Sequence, residues 1–261
     1  MVKVIKCSDV NYVRAGRTII SNLNWEVDSS DRWIIIGPNG AGKSTILKML
    51  ALLDYPSSGT VELLGKRLGR VDINELRPSI GVVTSESARR IPAGEKALNV
   101  VMTAAYGVSG RWNEYYDELD EKRALRVMSE WGVDSLAERS FGTLSDGEKK
   151  RTLIARAVMT DPELLLLDEP AASIDLGGRE ELVKTLSGFA SSPFSPAMVM
   201  VTHHVEEIPP GFTHALLLNK DGSVLAQGSI NEVVTGENLS NLFGVRLGVH
   251  QLNGRFSASA I

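Results

Sequence analysis

The stretch Gly37-Pro38-Asn39-Gly40-Ala41-Gly42-Lys43-Ser44-Thr45 constrains the fold of this chain more than any other. It matches the pattern G-x-x-x-x-G-K-[ST] in full. Trp33-Ile34-Ile35-Ile36 precedes it, a short unbroken apolar run of the kind that parallel sheets bury. Ile46 to Leu53 follows it, free of Gly and Pro and rich in helix formers. Strand, loop and helix in that order predict a phosphate-binding loop. Its glycines let successive backbone N–H groups curl around a phosphate without Cβ clashes, and the helix N-terminus adds free donors and a positive dipole end. Lys43 supplies a point charge in reach of β- and γ-phosphates, and Ser44 offers a hydroxyl to Mg²⁺.

A second run, Leu164-Leu165-Leu166-Leu167-Asp168-Glu169-Pro170, predicts a buried strand whose C-terminal tip carries carboxylates. In open α/β sheets that tip is where ligands bind. Asp168 is placed to hold Mg²⁺ through water. Glu169, one residue on, points elsewhere and is placed to take a proton from, or orient, a water attacking the γ-phosphorus.

The chain has 261 residues, enough for one large α/β domain or two small ones. Its 28 basic and 32 acidic residues leave a net charge of −4, so no nucleic-acid partner is expected. Arg89-Arg90 and Lys149-Lys150-Arg151 accordingly read as solvated surface charge. The single cysteine, Cys7, cannot form an internal disulfide and reads as a small buried hydrophobe, which fits a reducing, cytoplasmic compartment. The N-terminus lacks the apolar core of a signal peptide, and no apolar run approaches 18 residues. A membrane role therefore requires a partner.

Residues 1 to 27 read as an antiparallel β lobe that turns at Ala15-Gly16-Arg17. Thr60 to Leu64 and Ile80 to Thr84 read as strands. Ser85 to Lys96 is polar, with Pro92 and Gly94, and is expected to be a mobile loop. Helices are expected over Ala97–Tyr106 and Tyr115–Trp131, the second with an apolar stripe of Leu119, Leu125, Val127 and Met128. Residues 85 to 145 thus form a helical subdomain inserted into an α/β core made of 1–84 and 146–261. Further helices are expected over Gly147–Met159 and Gly178–Phe189, and a strand over Ala197–Val201. His214–Leu218 and Ser223–Gln227 read as a hairpin. Short helices over Ile230–Val234 and Asn238–Phe243, a last strand through Val245, Leu247 and Val249, and a frayed Ser257–Ile261 complete the chain.

Together these motifs resemble the ATP-binding-cassette (ABC) ATPases. Residues 37–45 resemble their Walker A loop and 164–169 their Walker B strand. Leu144-Ser145-Asp146-Gly147-Glu148 resembles their signature, Ala172-Ser173-Ile174-Asp175 their D-loop, and Val201-Thr202-His203-His204 their switch-histidine segment. The resemblance covers nearly the whole chain and implies a homodimer, or a paired cassette, closing head to tail around two ATP molecules. Each ATP would lie between the Walker A loop of one copy and Ser145 and Gly147 of the other. His203 would contact the γ-phosphate, and Asp175 would relay across the seam.

Three positions depart from the family pattern. Asp146 and Glu148 stand where glycine and glutamine are usual, and their carboxylates either repel the triphosphate or turn away from it. Ser85-Glu86 stands where a glutamine is usual that ligates Mg²⁺ and couples to the transport partner. The adenine platform is either Arg14 or Tyr12. The function implied is Mg²⁺-dependent ATP hydrolysis powering a separate membrane-spanning permease from the cytoplasmic face. The chain most resembles the importer-type cassettes grouped around molybdate and iron-chelate uptake. The alternative is a soluble ATP-driven switch acting on a protein, ribosome or nucleic acid.

Overall fold

The computed structural model of the chain describes residues 3–107, 110 and 116–261. Two long strands open it, β1 (Lys3–Arg14) and β2 (Arg17–Asp28), joined through Ala15 and Gly16, which both take positive φ. β3 (Arg32–Ile36), α1 (Lys43–Leu50), β4 (Ser58–Leu63), β5 (Lys66–Arg67), α2 (Ile73–Leu76) and β6 (Ile80–Val83) follow. Next come α3 (Ser85–Arg89), α4 (Ala97–Met102), α5 (Glu118–Glu130) and α6 (Asp146–Val158). β7 (Leu164–Asp168), α7 (Leu176–Ala190), β8 (Ala197–Val201), β9 (His214–Leu218) and β10 (Val224–Ser229) continue the chain, which ends with α8 (Ile230–Val233), α9 (Gly236–Phe243), β11 (Leu247–Leu252) and β12 (Arg255–Ala260).

The larger sheet runs in the order β10-β9-β3-β8-β7-β6. β9, β3, β8, β7 and β6 are mutually parallel, and β10 returns antiparallel on the edge. The order β2-β1-β4-β5 makes a separate antiparallel sheet. The α/β class and the antiparallel lobe are as the sequence predicts.

Unbroken apolar runs suit the central strands because both of their faces are buried. Side chains alternate along a strand, so each run feeds two cores. Trp33 and Ile35, Leu164 and Leu166, and Val199 and Val201 pack with the β lobe and α1. Ile34 and Ile36, Leu165 and Leu167, and Met198 and Met200 pack with the helices on the other face. This alternation decides where the next residue of β7 points: Asp168 continues the Leu164–Leu166 face, toward α1.

Several expectations are corrected. The polar stretch after β6 is not all loop, because Thr84 caps α3 there: its Oγ1 accepts from Ser87 N–H at 3.2 Å, and Ser87 Oγ accepts from Thr84 N–H at 3.1 Å. The helix from Ala97 ends at Met102 and tightens into a 3-10 turn over Thr103–Tyr106. The next begins at Glu118, where Asp117 caps it, and the expected start at Tyr115 lies outside the described residues. Leu119 leaves the predicted stripe: it is 72% exposed, and Ala124, Val127 and Met128 form the buried face. Val245 precedes the last hairpin and is exposed.

The C-terminal segment is a paired strand and not a frayed end. Asn253 and Gly254, both at positive φ, turn β11 into β12, and Phe256 is buried. Arg255 binds both oxygens of Glu180, at 2.7 and 3.2 Å, and donates to the Glu206 carbonyl at 2.6 Å. Cys7 lies buried in β1, and burial pushes its thiol up to about 12.

Candidate nucleotide site

Parallel strands place their C-terminal ends along one edge of the sheet, so the residues after β3, β6, β7 and β8 converge there. Those residues are the glycine loop, Thr84 to Glu86, Glu169, and Thr202 to His204. Within the loop, Gly37 is required by close approach, since a Cβ there would sit 2.5 Å from the Leu218 carbonyl oxygen. Gly42 stands at φ +94°, where a Cβ would meet the Ile19 carbonyl oxygen at 2.8 Å. Ala41 is buried against the β-lobe core, while Asn39 and Gly40 are exposed, Pro38 and Thr45 are half-buried, and Ser44 is exposed. The first intrahelical bond of α1 runs from Ile46 N–H to the Gly42 carbonyl at 3.0 Å. The N–H groups of Lys43, Ser44 and Thr45 therefore precede the helix ladder, and no side chain caps them.

Lys43 is buried, and its ammonium donates to the Gly37 and Pro38 carbonyls at 2.7 and 3.0 Å. Burial lowers its pKa, while Glu169 and Asp168 oppose the shift. The Ser44 hydroxyl donates to Asp168 Oδ1 at 3.3 Å, which joins the loop to the end of β7. Burial raises the Asp168 pKa against the relief this bond gives. A desolvated carboxylate beside a hydroxyl is a donor set suited to a hard cation.

Glu169 adopts φ +49°, a conformation disfavoured for any residue with a Cβ and often found at functional sites. Its N–H donates to the Val201 carbonyl at 3.0 Å, and its Oε1 lies 3.2 Å from His203 Nδ1. That approach is within ion-pair distance but lacks hydrogen-bond alignment. Thr202 donates to Glu207, a buried acid, and receives the His204 N–H at 3.1 Å. A cavity of about 330 Å³ opens beside Glu169, lined also by Ser173, Arg179, His203 and His204.

The signature segment stands apart: among the described residues no hydrogen bond or ion pair links Ser145–Glu148 to residues 37–45. Ser145 is exposed at the N-cap of α6. Its Oγ accepts from Glu148 N–H at 3.3 Å, and Glu148 Oε2 accepts from Ser145 N–H at 2.7 Å. The Ser145 hydroxyl also bonds to the Glu148 carboxyl. The Ser145 N–H, more than the nearby Arg139 at 3.5 Å, holds the Glu148 carboxyl below its usual range. Glu148 is thus engaged in capping, whereas Asp146 is exposed near Lys149. A Cβ on Gly147 would make only ordinary contact, at 3.5 Å from Ile174. Asp175 caps α7 through Gly178 N–H at 2.7 Å.

Two of the departures now have a structural context. Glu86 pairs with Lys48 at 3.7 Å and Arg90 at 3.9 Å, and not with Ser44 or Asp168; the side chain of Ser85 lies outside the described residues. Tyr12 is buried with its hydroxyl 2.5 Å from Asp54 Oδ2, while Arg14 is exposed at the end of β1. The surface-charge expectation for Lys149-Lys150-Arg151 fails at two positions. Arg151 is largely buried and pairs with Glu181 at 2.6 Å, and Lys150 donates to the Glu169 carbonyl at 3.3 Å. Periodicity places Lys150 on a helix but does not reveal what that helix packs against.

Fold and site together define a phosphate-loop nucleotide hydrolase whose loop, carboxylates and histidine meet at one sheet edge. Comparison with known proteins narrows the class. The family model described as ABC transporter matches residues 20–172. The chain is 38% identical over 241 residues to the ABC transporter ATP-binding protein YlmA of Bacillus subtilis (strain 168), covering 92% of this chain and 90% of that one. It is 29% identical to the ferric enterobactin transport ATP-binding protein FepC of Escherichia coli (strain K12), over 88% and 83% of the two chains. Among solved structures it resembles a dimeric ATP-binding cassette, MJ0796, bound to ADP and Pi in a post-hydrolysis state: TM-score 0.74, 25% identity, covering 87% of this chain and 98% of that one. The chain belongs to the ABC transporter family, and its place in that family is the ATP-binding, ATP-hydrolysing cassette.

Proposed function

We propose that two copies of this chain, or one copy and a paired cassette, close head to tail over two ATP molecules and that hydrolysis then resets a membrane-spanning permease. The observation that carries this reading is the separation of the two phosphate-binding elements. Lys43, Ser44, Asp168, Glu169 and His203 share one edge of the sheet, while Ser145 stands exposed at a helix N-terminus facing solvent. Only a second molecule can use both.

Within each site, Lys43 exchanges its bonds to the Gly37 and Pro38 carbonyls for phosphate oxygens, joined by the N–H groups of residues 40 to 45. Ser44 and Asp168 fit Mg²⁺, which when bound neutralises charge on the β- and γ-phosphates. Glu169 holds the attacking water and accepts its proton, and His203 supports the γ-phosphate side. Arg14 is the side chain left available to stack on adenine, because Tyr12 is buried and bonded to Asp54. Gly147 keeps the signature backbone open to the partner's γ-phosphate.

No helix among the described residues is long and apolar enough to cross a membrane, and in this reading the spanning part is supplied by a permease subunit. The cassette would sit on the cytoplasmic face of that subunit, with residues 85 to 145 as the helical subdomain that grips it. The similarity to FepC and to a metal transport ATP-binding protein of Chlamydia trachomatis supports a metal ion or metal chelate as cargo.

Glu169→Gln tests the reading. The variant is expected to bind Mg²⁺–ATP, elute as a stable dimer in its presence, and hydrolyse about 10²- to 10⁴-fold more slowly. Normal turnover without a trapped dimer would overturn it. Affinity purification from membranes should recover a polytopic protein, and recovery of soluble partners alone would remove the transport half.

A further inference from the structure

Lys150 takes no part in the chemistry above, yet it is bonded to the residue on which hydrolysis depends. Glu169 holds its left-handed conformation through three hydrogen bonds. Its N–H donates to Val201 of β8, and its carbonyl accepts from Ala172 N–H at 3.1 Å, within its own turn. The third comes from a different element: Lys150 Nζ, on α6, donates to the same carbonyl at 3.3 Å. Burial lowers the pKa of this half-buried ammonium, and the carboxylates of Asp168 and Glu169, then those of Asp146 and Glu207, oppose the shift. A non-glycine residue at positive φ persists only where its surroundings over-determine it. Among these three bonds, Lys150 supplies the only restraint from outside the sheet edge.

The helix that carries Lys150 begins at Ser145. The two residues are five positions apart, or about 7.5 Å along the helix axis. Along the same helix, Arg151 pairs with Glu181 of α7, and Arg156 binds the Val100 carbonyl and Thr103 of the α4 region, both at 2.6 Å. The helix is therefore anchored on several sides, with Ser145 and Lys150 on the same rigid element.

We propose that Lys150 is a positioning residue that ties the signature helix to the Glu169 peptide, so that the helix presenting Ser145 to one ATP holds the glutamate that serves the other. The proposal rests on the head-to-tail reading above. In a closed dimer Ser145 contacts the nucleotide on the partner's loop, while Glu169 of the same chain acts at its own loop. A γ-phosphate that draws α6 into place at the first site thereby fixes the Glu169 carbonyl at the second. The two sites are linked through one side chain.

Steady-state ATP hydrolysis by Lys150→Met, Lys150→Gln and Lys150→Arg tests this, together with ATP-driven dimerisation of each variant combined with Glu169→Gln. Releasing the peptide displaces the Glu169 carboxylate by an ångström or so, so Lys150→Met should lose about 10- to 100-fold in kcat. KM for ATP should stay within about twofold, dimer formation in the Glu169→Gln background should be retained, and cooperativity in ATP should fall. Lys150→Arg, which keeps a charged donor, should recover part of kcat. Lys150→Gln, which keeps an uncharged donor, should fall between them and serves if Lys150→Met does not fold. Unchanged kcat and cooperativity in folded Lys150→Met or Lys150→Gln would overturn the proposal, as would an equal loss in kcat and dimerisation. If Glu169→Gln alone neither traps a dimer nor slows turnover, the head-to-tail reading fails and takes the proposal with it.

Discussion

Replacing Gly42 by alanine asks whether the loop geometry is set by backbone conformation or by close packing. At φ +94° the left-handed region costs an alanine about 1–2 kcal/mol. Its Cβ would also lie 2.8 Å from the Ile19 carbonyl oxygen and collide with Ile20 Cδ1. The Ile20 side chain can rotate away, but the Ile19 carbonyl is backbone of β2, and such overpacking costs about 1–3 kcal/mol. The sum is about 2–5 kcal/mol, taken up by whatever distortion lets the loop move. Gly40 is the internal control. It stands at φ +83° with nothing within 4 Å of where a Cβ would lie, so Gly40→Ala meets the conformational cost alone, about 1–2 kcal/mol. Titration with a fluorescent ATP analogue in Mg²⁺ should show Gly42→Ala weakened about 30-fold or more, and Gly40→Ala by about 5- to 30-fold. Binding by Gly42→Ala within about threefold of the unsubstituted chain, or a larger loss in Gly40→Ala, would refute the packing argument.

Two further outcomes follow from contacts around the site. Glu148→Gln removes a charge at the signature while leaving a side chain that can still accept from Ser145 N–H. It should tighten ATP-driven dimerisation in sedimentation equilibrium and cost about 0.3–1 kcal/mol of helix-terminus stabilisation in thermal unfolding. Arg255→Gln should loosen the C-terminal hairpin by about 1 kcal/mol, a fall of roughly 2–4 °C in Tm. Its pH dependence has a definite sign. Arg255 is the largest influence holding the Glu180 carboxyl below its ordinary 4.5, so this contribution is present above that value and is lost as pH falls through and below it. Thermal melts of the two proteins should therefore converge on acidification.

What could be read from the sequence was chiefly what is local. The glycine loop and the four leucines of β7 carry their own context, and the alternation along β7 places Asp168 on the α1 side, where Ser44 meets it. The N-cap of α3 escaped the usual pattern because Ser87, not Glu or Gln, closes its capping box. The last hairpin was missed although Asn253-Gly254 is a strong local turn signal, because the weakly apolar Ser257–Ile261 gives no sign of pairing. Tyr12 and Arg14 could not be separated by spacing, and the bond of the Tyr12 hydroxyl to Asp54, 42 residues away, is a contact that spacing does not show. Lys150 lay furthest from reach, since its partner is a backbone carbonyl 19 residues away, brought close by the packing of α6 against the sheet.

The central claim is that each ATP is completed by a second molecule, and complementation tests it most directly. Lys43→Ala removes the loop charge, and Ser145→Arg blocks the signature. Each alone should be inactive, because every site in either homodimer is defective. In an equal mixture half the dimers are mixed, and each of these has one site built from an intact loop and an intact signature. ATPase activity should return on mixing, up to about a quarter of the full rate for independent sites and less than that where the Lys150 link couples them. Ser145→Arg retaining full activity on its own, with no gain on mixing, would contradict the claim.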